Sequence, residues 1–183
     1  EAGVQSCGYV QYDGTNSSMS TPVFSLTSTD AISVFAGVFK RSDAALGTIL
    51  EYGVDAINNA GSFSLRGAAS AAYSYVSRGT ALSNLTTPTN YAAPIHNLVV
   101  GLSDISADQN VIRVNGAQVA SSASDQGTGN YGNYQLFMGR RNNTNIPFNG
   151  RDYGIIVVGK SVSAGDLAST ETWLAAKTPV VTL

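Results

Sequence analysis

The sequence predicts an all-β chain, a sandwich or a barrel, that closes with one short helix. Three observations carry this. Apolar and polar residues alternate at period two through most segments. Turn residues interrupt that alternation roughly every 8–12 positions. A helical period appears only near the C-terminus, in "SVSAGDLASTETWLAAKTP".

Taken in order, "GYVQYDG" is a first strand closed by Asp13-Gly14, and "TPVFSLT" is a second. "AISVFAGVFKRS" is the strongest, with Ile32, Val34, Ala36 and Val38 on one face and Phe35, Gly37 and Phe39 on the other. Apolar residues on both faces predict a central strand covered on both sides. "GTILEYG", "GSFSLRGA" and "AYSYVSRG" follow, then the apolar "IHNLVVGLSDI". In "NVIRVNGAQVAS", Asn115-Gly116 predicts a type I′ hairpin, whose two central residues need positive φ. "YQLFMGRR" and "GRDYGIIVVGK" complete the strands. Ser163 is the expected helix N-cap, with Asp166 in capping-box register. Leu167, Glu171 and Leu174 share one helix face, Thr178-Pro179 stops the helix, and "VVTL" reads as a short strand or tail. Loops are expected over Asn84–Pro94 and Ser121–Tyr134, and neither a linker nor an internal repeat divides the chain.

Composition narrows the function. The 183 residues are 43% apolar, enough to bury a core, but only 12% charged. Solubility therefore rests on Ser, Thr, Asn, Gln and Gly, a surface typical of chains that work outside a cell or on a particle. The net charge is −2 and no basic run exceeds two residues, so no stripe exists to neutralise nucleic-acid phosphates. No apolar run approaches the roughly 20 residues that span a bilayer, so membrane insertion is not expected, and no signal peptide is evident. A chain opening on Glu1 is expected to be processed, or cut from a longer polypeptide. The lone Cys7 has no internal disulfide partner and reads as a small structural residue.

The segments, in their order, resemble the laminin-G-like, concanavalin A-like modules. "YVQYDGTNSSMSTP" is similar to their opening strand, and "AISVFAGVFKRS" to a central one. "IHNLVVGLSD" places His96 at a family histidine position, and "VIRVNGAQV" is similar to a family hairpin. "LFMGRRNNTNIPFNGRDYGIIVVGKSVSAGDLASTETWLAAKT" is similar to the family's closing strands and helix, so the likeness runs over about residues 8–178. In style it resembles the variant found on phage structural proteins of the capsid or tail. The resemblance implies a jelly-roll sandwich of two antiparallel sheets with one short C-terminal helix, residues 1–183 forming one module. It also implies virion proteins and host-surface glycans as partners, a homo-oligomer, and a place on the virion surface or outside the cell.

The family includes enzymes and metal binders, and the chain departs from both. Its β-glucan hydrolases carry an E-x-D-x-E run on one strand face, whereas here only Glu51 and Asp55 come near each other, at the wrong spacing and without a third acid. Calcium-binding relatives cluster acidic oxygens, but Asp13, Asp104 and Asp108 are scattered. No catalytic residue, metal or cofactor is therefore expected.

Candidate ligand contacts remain. Tyr73 and Tyr75 share one strand face and are expected either to stack on sugar rings or to pack across strands. Tyr131 and Tyr134 lie in a Gly/Asn/Ser loop of the composition that adaptable binding loops use. Arg140, Arg141, Asn142, Asn143 and Asn145 could hydrogen-bond hydroxyls or acidic sugars, with Pro147 and Phe148 anchoring their loop. His96, alone in an apolar strand, reads as structural. Asn16-Ser-Ser, Asn84-Leu-Thr and Asn142-Asn-Thr fit the glycosylation pattern, as chance matches do in so Asn-rich a chain. The expected function is a non-enzymatic virion structural or adhesion module that binds host-surface glycans. The alternatives are a secreted bacterial carbohydrate-binding adhesion module and, less favoured, a polysaccharide-cleaving enzyme of the same fold.

Overall fold

The computed structural model describes residues 8–183, so Cys7 and Glu1 lie outside the described residues. The fold is all-β: two six-stranded antiparallel sheets packed as a jelly-roll sandwich, with one helix. The first sheet runs β1 (Val10–Asp13), β14 (Asn149–Val158), β4 (Ala31–Lys40), β9 (Ile95–Asp104), β10 (Gln109–Val114) and β11 (Ala117–Ser122). The second runs β2 (Met19–Ser20), β13 (Leu136–Met138), β5 (Gly47–Tyr52), β6 (Ser62–Gly67), β7 (Tyr73–Arg78) and β8 (Leu82–Thr86). A two-stranded piece joins β3 (Phe24–Ser25) to β12 (Asn133–Tyr134).

The double-faced pattern of β4 has the expected consequence. Ile32, Val34, Ala36 and Val38 lie in the main core between the sheets. Phe35 lies on the other face, in a second cluster with Leu98, Val100 and Leu174. That cluster is the seat of α1 (Ala164–Ala175). Ser163 caps the helix by accepting the Asp166 N–H at 3.1 Å. Leu174 and Glu171 are buried and Leu167 is half-buried. Glu171 pairs with Arg113 of β10 at 2.8 Å, which pins the helix to the sheet.

Asn115 and Gly116 adopt φ of 48° and 80° and form the expected tight hairpin between β10 and β11. Other boundaries shift. Of "TPVFSLT" only Phe24 and Ser25 pair, because their partner β12 is itself two residues long. Met19–Ser20, which the alternation did not mark, pairs with β13. β8 extends to Thr86 and shortens the first expected loop, and "VVTL" is a tail rather than a strand.

The largest correction concerns the tyrosines. Tyr73 and Tyr75 are 0% exposed and Tyr131 is 1% exposed, so none offers a ring to a sugar. They face inward and join the sheets. The Tyr75 hydroxyl shares a hydrogen bond with Ser103 of β9 at 3.1 Å. The Tyr131 hydroxyl meets Ser103 at 2.7 Å and Ser77 of β7 at 2.8 Å. The Asn97 amide of β9 donates to the Tyr73 hydroxyl at 3.0 Å. Burial pushes the Tyr73 and Tyr75 phenols well above their ordinary range and Tyr131 up to about 12. All three therefore stay neutral, as buried hydrogen-bonding groups must.

Gly101 of β9 is what makes room for this bridge. A Cβ there would sit 2.6 Å from the Tyr75 ring. Gly101→Ala is expected to destabilise the fold by about 1–3 kcal/mol through overpacking. Urea unfolding followed by tyrosine fluorescence checks this; an unchanged midpoint would remove Tyr75 from the role given to it.

Candidate functional site

Alternation turns a second set of side chains to the outer face of the second sheet. Strand register aligns Glu51, Ser64, Val76 and Asn84 in one row, and Thr48, Arg66, Ser74 and Thr86 in the next. The segment after β5 folds back over this face. Its Ala56 N–H donates to Glu51 Oε1 at 2.6 Å, and Arg78 donates to the Ile57 carbonyl.

Arg141 locks the arrangement. Its Nε lies 3.0 Å from Glu51 Oε2 and its Nη1 3.2 Å from Asp55. Arg66 reaches Glu51 Oε1 at 3.3 Å and its Nε donates to Ser64 at 2.9 Å. Glu51 is fully buried, so its charge is compatible with folding only because three donors surround it. Burial would raise the Asp55 carboxyl, but Asn58, the Ile57 N–H and Arg141 outweigh it and hold the group below its ordinary value. The cluster contains two arginines and two carboxylates and is neutral overall.

Above this cluster sits the turn that the sequence marked. Arg141 N–H donates to the Asn145 carbonyl at 2.8 Å and Asn145 N–H returns to Arg141 at 3.1 Å. Asn142 and Asn143 take φ of 47° and 56°, a left-handed conformation asparagine tolerates better than most residues. Arg140 ties the turn from below, donating to the Thr144 carbonyl and, at 3.4 Å, to that of Asn16. Phe148 is buried against Tyr12 and anchors the following strand. The amides of Asn142, Asn143 and Asn145 are exposed.

The candidate residues thus divide. Tyr73, Tyr75 and Tyr131 belong to the core. Tyr134 is half-buried edge-on to Tyr52, and its hydroxyl donates to the Ala60 carbonyl at 3.0 Å, so it holds down the covering segment. Arg140 and Arg141 point into the fold. The three asparagines alone of this group reach outward. Strand register makes Arg66 and Glu51 partners, and period two in "GTILEYG" and "SFSLRG" is the signal that turns both away from the apolar core face. Glu51 and Asp55 both engage Arg141, and Glu51 has no solvent access, so the pair is not arranged to attack or protonate a sugar. His96 stacks on Phe39 with ring centroids 4.3 Å apart and meets the Tyr153 hydroxyl at 3.0 Å. Burial and the nearby Arg151 lower its pKa, so it is a neutral structural side chain. No group of three or more His, Cys, Asp or Glu among the described residues could hold a metal ion. No helix among them is long and apolar enough to cross a membrane.

Comparison with solved structures agrees with the architecture. The chain is similar to the CBM40 of the Ruminococcus gnavus IT-sialidase bound to α2,3 sialyllactose, at TM-score 0.64 and 16% identity, covering 89% of this chain and 95% of that one. It is similar to a heptameric SAP-like pentraxin from Limulus polyphemus, at TM-score 0.64 and 9% identity over 88% of this chain and 80% of that one. A botulinum neurotoxin type C structure, described as dependent on two ganglioside molecules for cell entry, aligns at TM-score 0.59 and 10% identity, over 79% and 36%. At these identities the likeness is one of fold. No protein-family model and no curated protein matches the sequence.

Removing one partner from a buried ion pair leaves the other charge uncompensated. Arg141→Ala is expected to cost toward the lower end of about 3–5 kcal/mol, since Glu51 keeps Arg66. The triple change Arg141→Met, Glu51→Leu and Arg66→Met, which leaves no buried charge of the cluster unpaired, is expected to cost less than the single one. Chemical denaturation of both variants checks the order; equal or reversed losses would show that the pair is not coupled.

Proposed function

We propose that the chain is a non-catalytic glycan-binding module whose contact surface is the Asn142–Asn145 turn on the outer face of the second sheet. The observation that carries this is the turn itself. Three exposed amides are held in one geometry by two inward-pointing arginines and by left-handed backbone. Each amide offers an acceptor and a donor, the pairing that sugar hydroxyls need, with Asn143 spending one of its two N–H groups on Ser20 at 3.4 Å. Because the turn is already ordered, little conformational entropy is lost on binding. The fold is shared with the CBM40 described as bound to sialyllactose, which supports the same reading.

The finer reading is display on a virion, as part of a capsid or tail and as a homo-oligomer. Its support is the order of family segments and the sparsely charged surface, 12% of residues. Multivalent display would compensate for the weak affinity of a few hydroxyl contacts.

Two measurements test these readings. On a glycan array, wild-type protein is expected to retain a defined set of glycans. The triple change Asn142→Ala, Asn143→Ala, Asn145→Ala is expected to weaken binding by on the order of tenfold or more, from about 0.5–1.5 kcal/mol per lost hydrogen bond. Binding that survives the triple change places the contact elsewhere. Separately, mass spectrometry of purified particles is expected to find the chain among the virion proteins, and its absence from them would end the virion reading.

A further inference from the structure

A second site lies away from the asparagine turn, at the open edge where β1 and β14 of one sheet meet β2 and β13 of the other. A pocket of about 410 Å³ opens there, with Tyr9, Tyr12, Tyr153, Met19 and Met138 among the residues lining it, and with Asp152. Its size suits a small organic ligand. Its rim is apolar and open to solvent: Tyr9 is 49% and Met19 45% exposed. Asp152 is 5% exposed, and among the described residues neither of its carboxyl oxygens accepts or donates a hydrogen bond.

A buried carboxylate without a partner is among the most costly groups a fold can carry. Register explains how it came inside. Asp152 pairs with Val38, whose side chain lies in the main core, and the ladder is irregular between Asp152 and Gly154. Glu51, equally buried, is surrounded by donors; among the described residues Asp152 has the Tyr12 phenol beside it, a contact that favours the ionised carboxyl but is outweighed by burial and falls outside ordinary hydrogen-bond geometry. The neighbouring cations are engaged elsewhere. Arg151 lies over the Tyr9 and Phe39 rings, 4.3 and 5.5 Å from their centroids. Lys40 is held by Asp43 at 2.6 Å and by the Ser70 and Ala72 carbonyls at 3.2 Å. The remaining titratable groups facing the pocket are the Tyr9, Tyr12 and Tyr153 phenols, and the β2 and β13 wall contributes Met19 and Met138.

We propose that this pocket binds a small organic ammonium, its nitrogen on the Asp152 carboxylate and its hydrocarbon arm against the tyrosines and methionines. An ammonium supplies the charge and the donors that Asp152 lacks. Aromatic faces at the rim attract the same cation. The flexible, polarisable methionines accommodate an apolar arm of variable shape.

The chemistry sets a pH signature. Burial raises the free Asp152 carboxyl to about 8, so at neutral pH it holds a proton. A cation requires the ionised form and must displace that proton. Affinity therefore weakens by about tenfold for each pH unit below about 8 and levels off above it. A ligand that instead accepted a hydrogen bond from the neutral acid would bind better at low pH.

Benzylamine, which stays charged over this range, is the probe, with benzyl alcohol as its neutral counterpart of similar shape. Calorimetric titration of the whole protein is expected to show one benzylamine site at pH 8, about fivefold weaker at pH 7, with proton release on binding. Benzyl alcohol is expected not to bind, and Asp152→Asn to abolish amine binding with an unchanged circular dichroism spectrum. Should that variant misfold, Met19→Trp, at an exposed rim position, narrows the mouth and is expected to weaken binding in its place. No benzylamine binding at millimolar concentration, equal binding of the alcohol, or an affinity that does not rise from pH 6 to pH 8 overturns the proposal. These outcomes are independent of the glycan array, which reads the other surface.

Discussion

The structure depends on three tyrosine hydroxyls buried between two sheets. A sandwich core of hydrocarbon alone sets the spacing of its layers but constrains their sliding weakly. Here the Tyr75–Ser103–Tyr131–Ser77 chain and the Asn97–Tyr73 contact join β7 to β9 at defined points. Each hydroxyl would cost about 1–3 kcal/mol if left unsatisfied, so a slip of either sheet is penalised at several places at once. Gly101 follows from this constraint, because the bridge needs a strand residue without a side chain beneath the Tyr75 ring. So does the removal of these tyrosines from any surface role.

With the inner faces fixed, the two outer faces are finished by different physics. On the first sheet, Phe35, Leu98 and Val100 form an apolar stripe, and the helix covers it with Leu174 and Ala175. On the second, alternation brings out Glu51, Ser64, Arg66 and Ser74. A polar face cannot be closed by an apolar helix without leaving charges unpaired. It is closed by a loop that supplies backbone N–H groups and by Arg141, which supplies a counter-charge. The exposed asparagine turn is a by-product of that closure, since Arg141 must leave the turn inward to reach Glu51.

Much of this was legible in the sequence, and the pattern of failure is physical. Strand existence was readable wherever period two held for five residues or more, as in β4, β9 and the Asn115-Gly116 hairpin. It was not readable for β2 and β12, whose two residues carry no period. The helix was readable because its cap, its apolar face and its stop agree. Tyr73 and Tyr75 were correctly placed on a common strand face. Which of the two faces was buried could not be read, because tyrosine suits core and surface equally and the decision lay in Ser103 and Asn97, 28 and 24 residues away. The Arg140–Asn145 stretch was singled out on composition, yet composition does not say which side chains turn inward. Glu51 and Arg66, fifteen residues apart, became partners only through strand register.

Glu51 and Asp152 form a comparison within one molecule. Both are acids at buried positions of a β-sandwich, and desolvation penalises both. For Glu51 the fold recruits two arginines from distant segments and a backbone N–H. For Asp152, among the described residues, it recruits nothing comparable, although Arg151 is its immediate neighbour and is turned the other way onto Tyr9 and Phe39. An apolar side chain such as leucine at position 152 would carry no such penalty. Such local violations concentrate where proteins bind or react. Glu51 is solved internally and belongs to stability. Asp152 opens onto a 410 Å³ pocket with an aromatic and methionine rim, and among the described residues no hydrogen bond reaches its carboxyl oxygens.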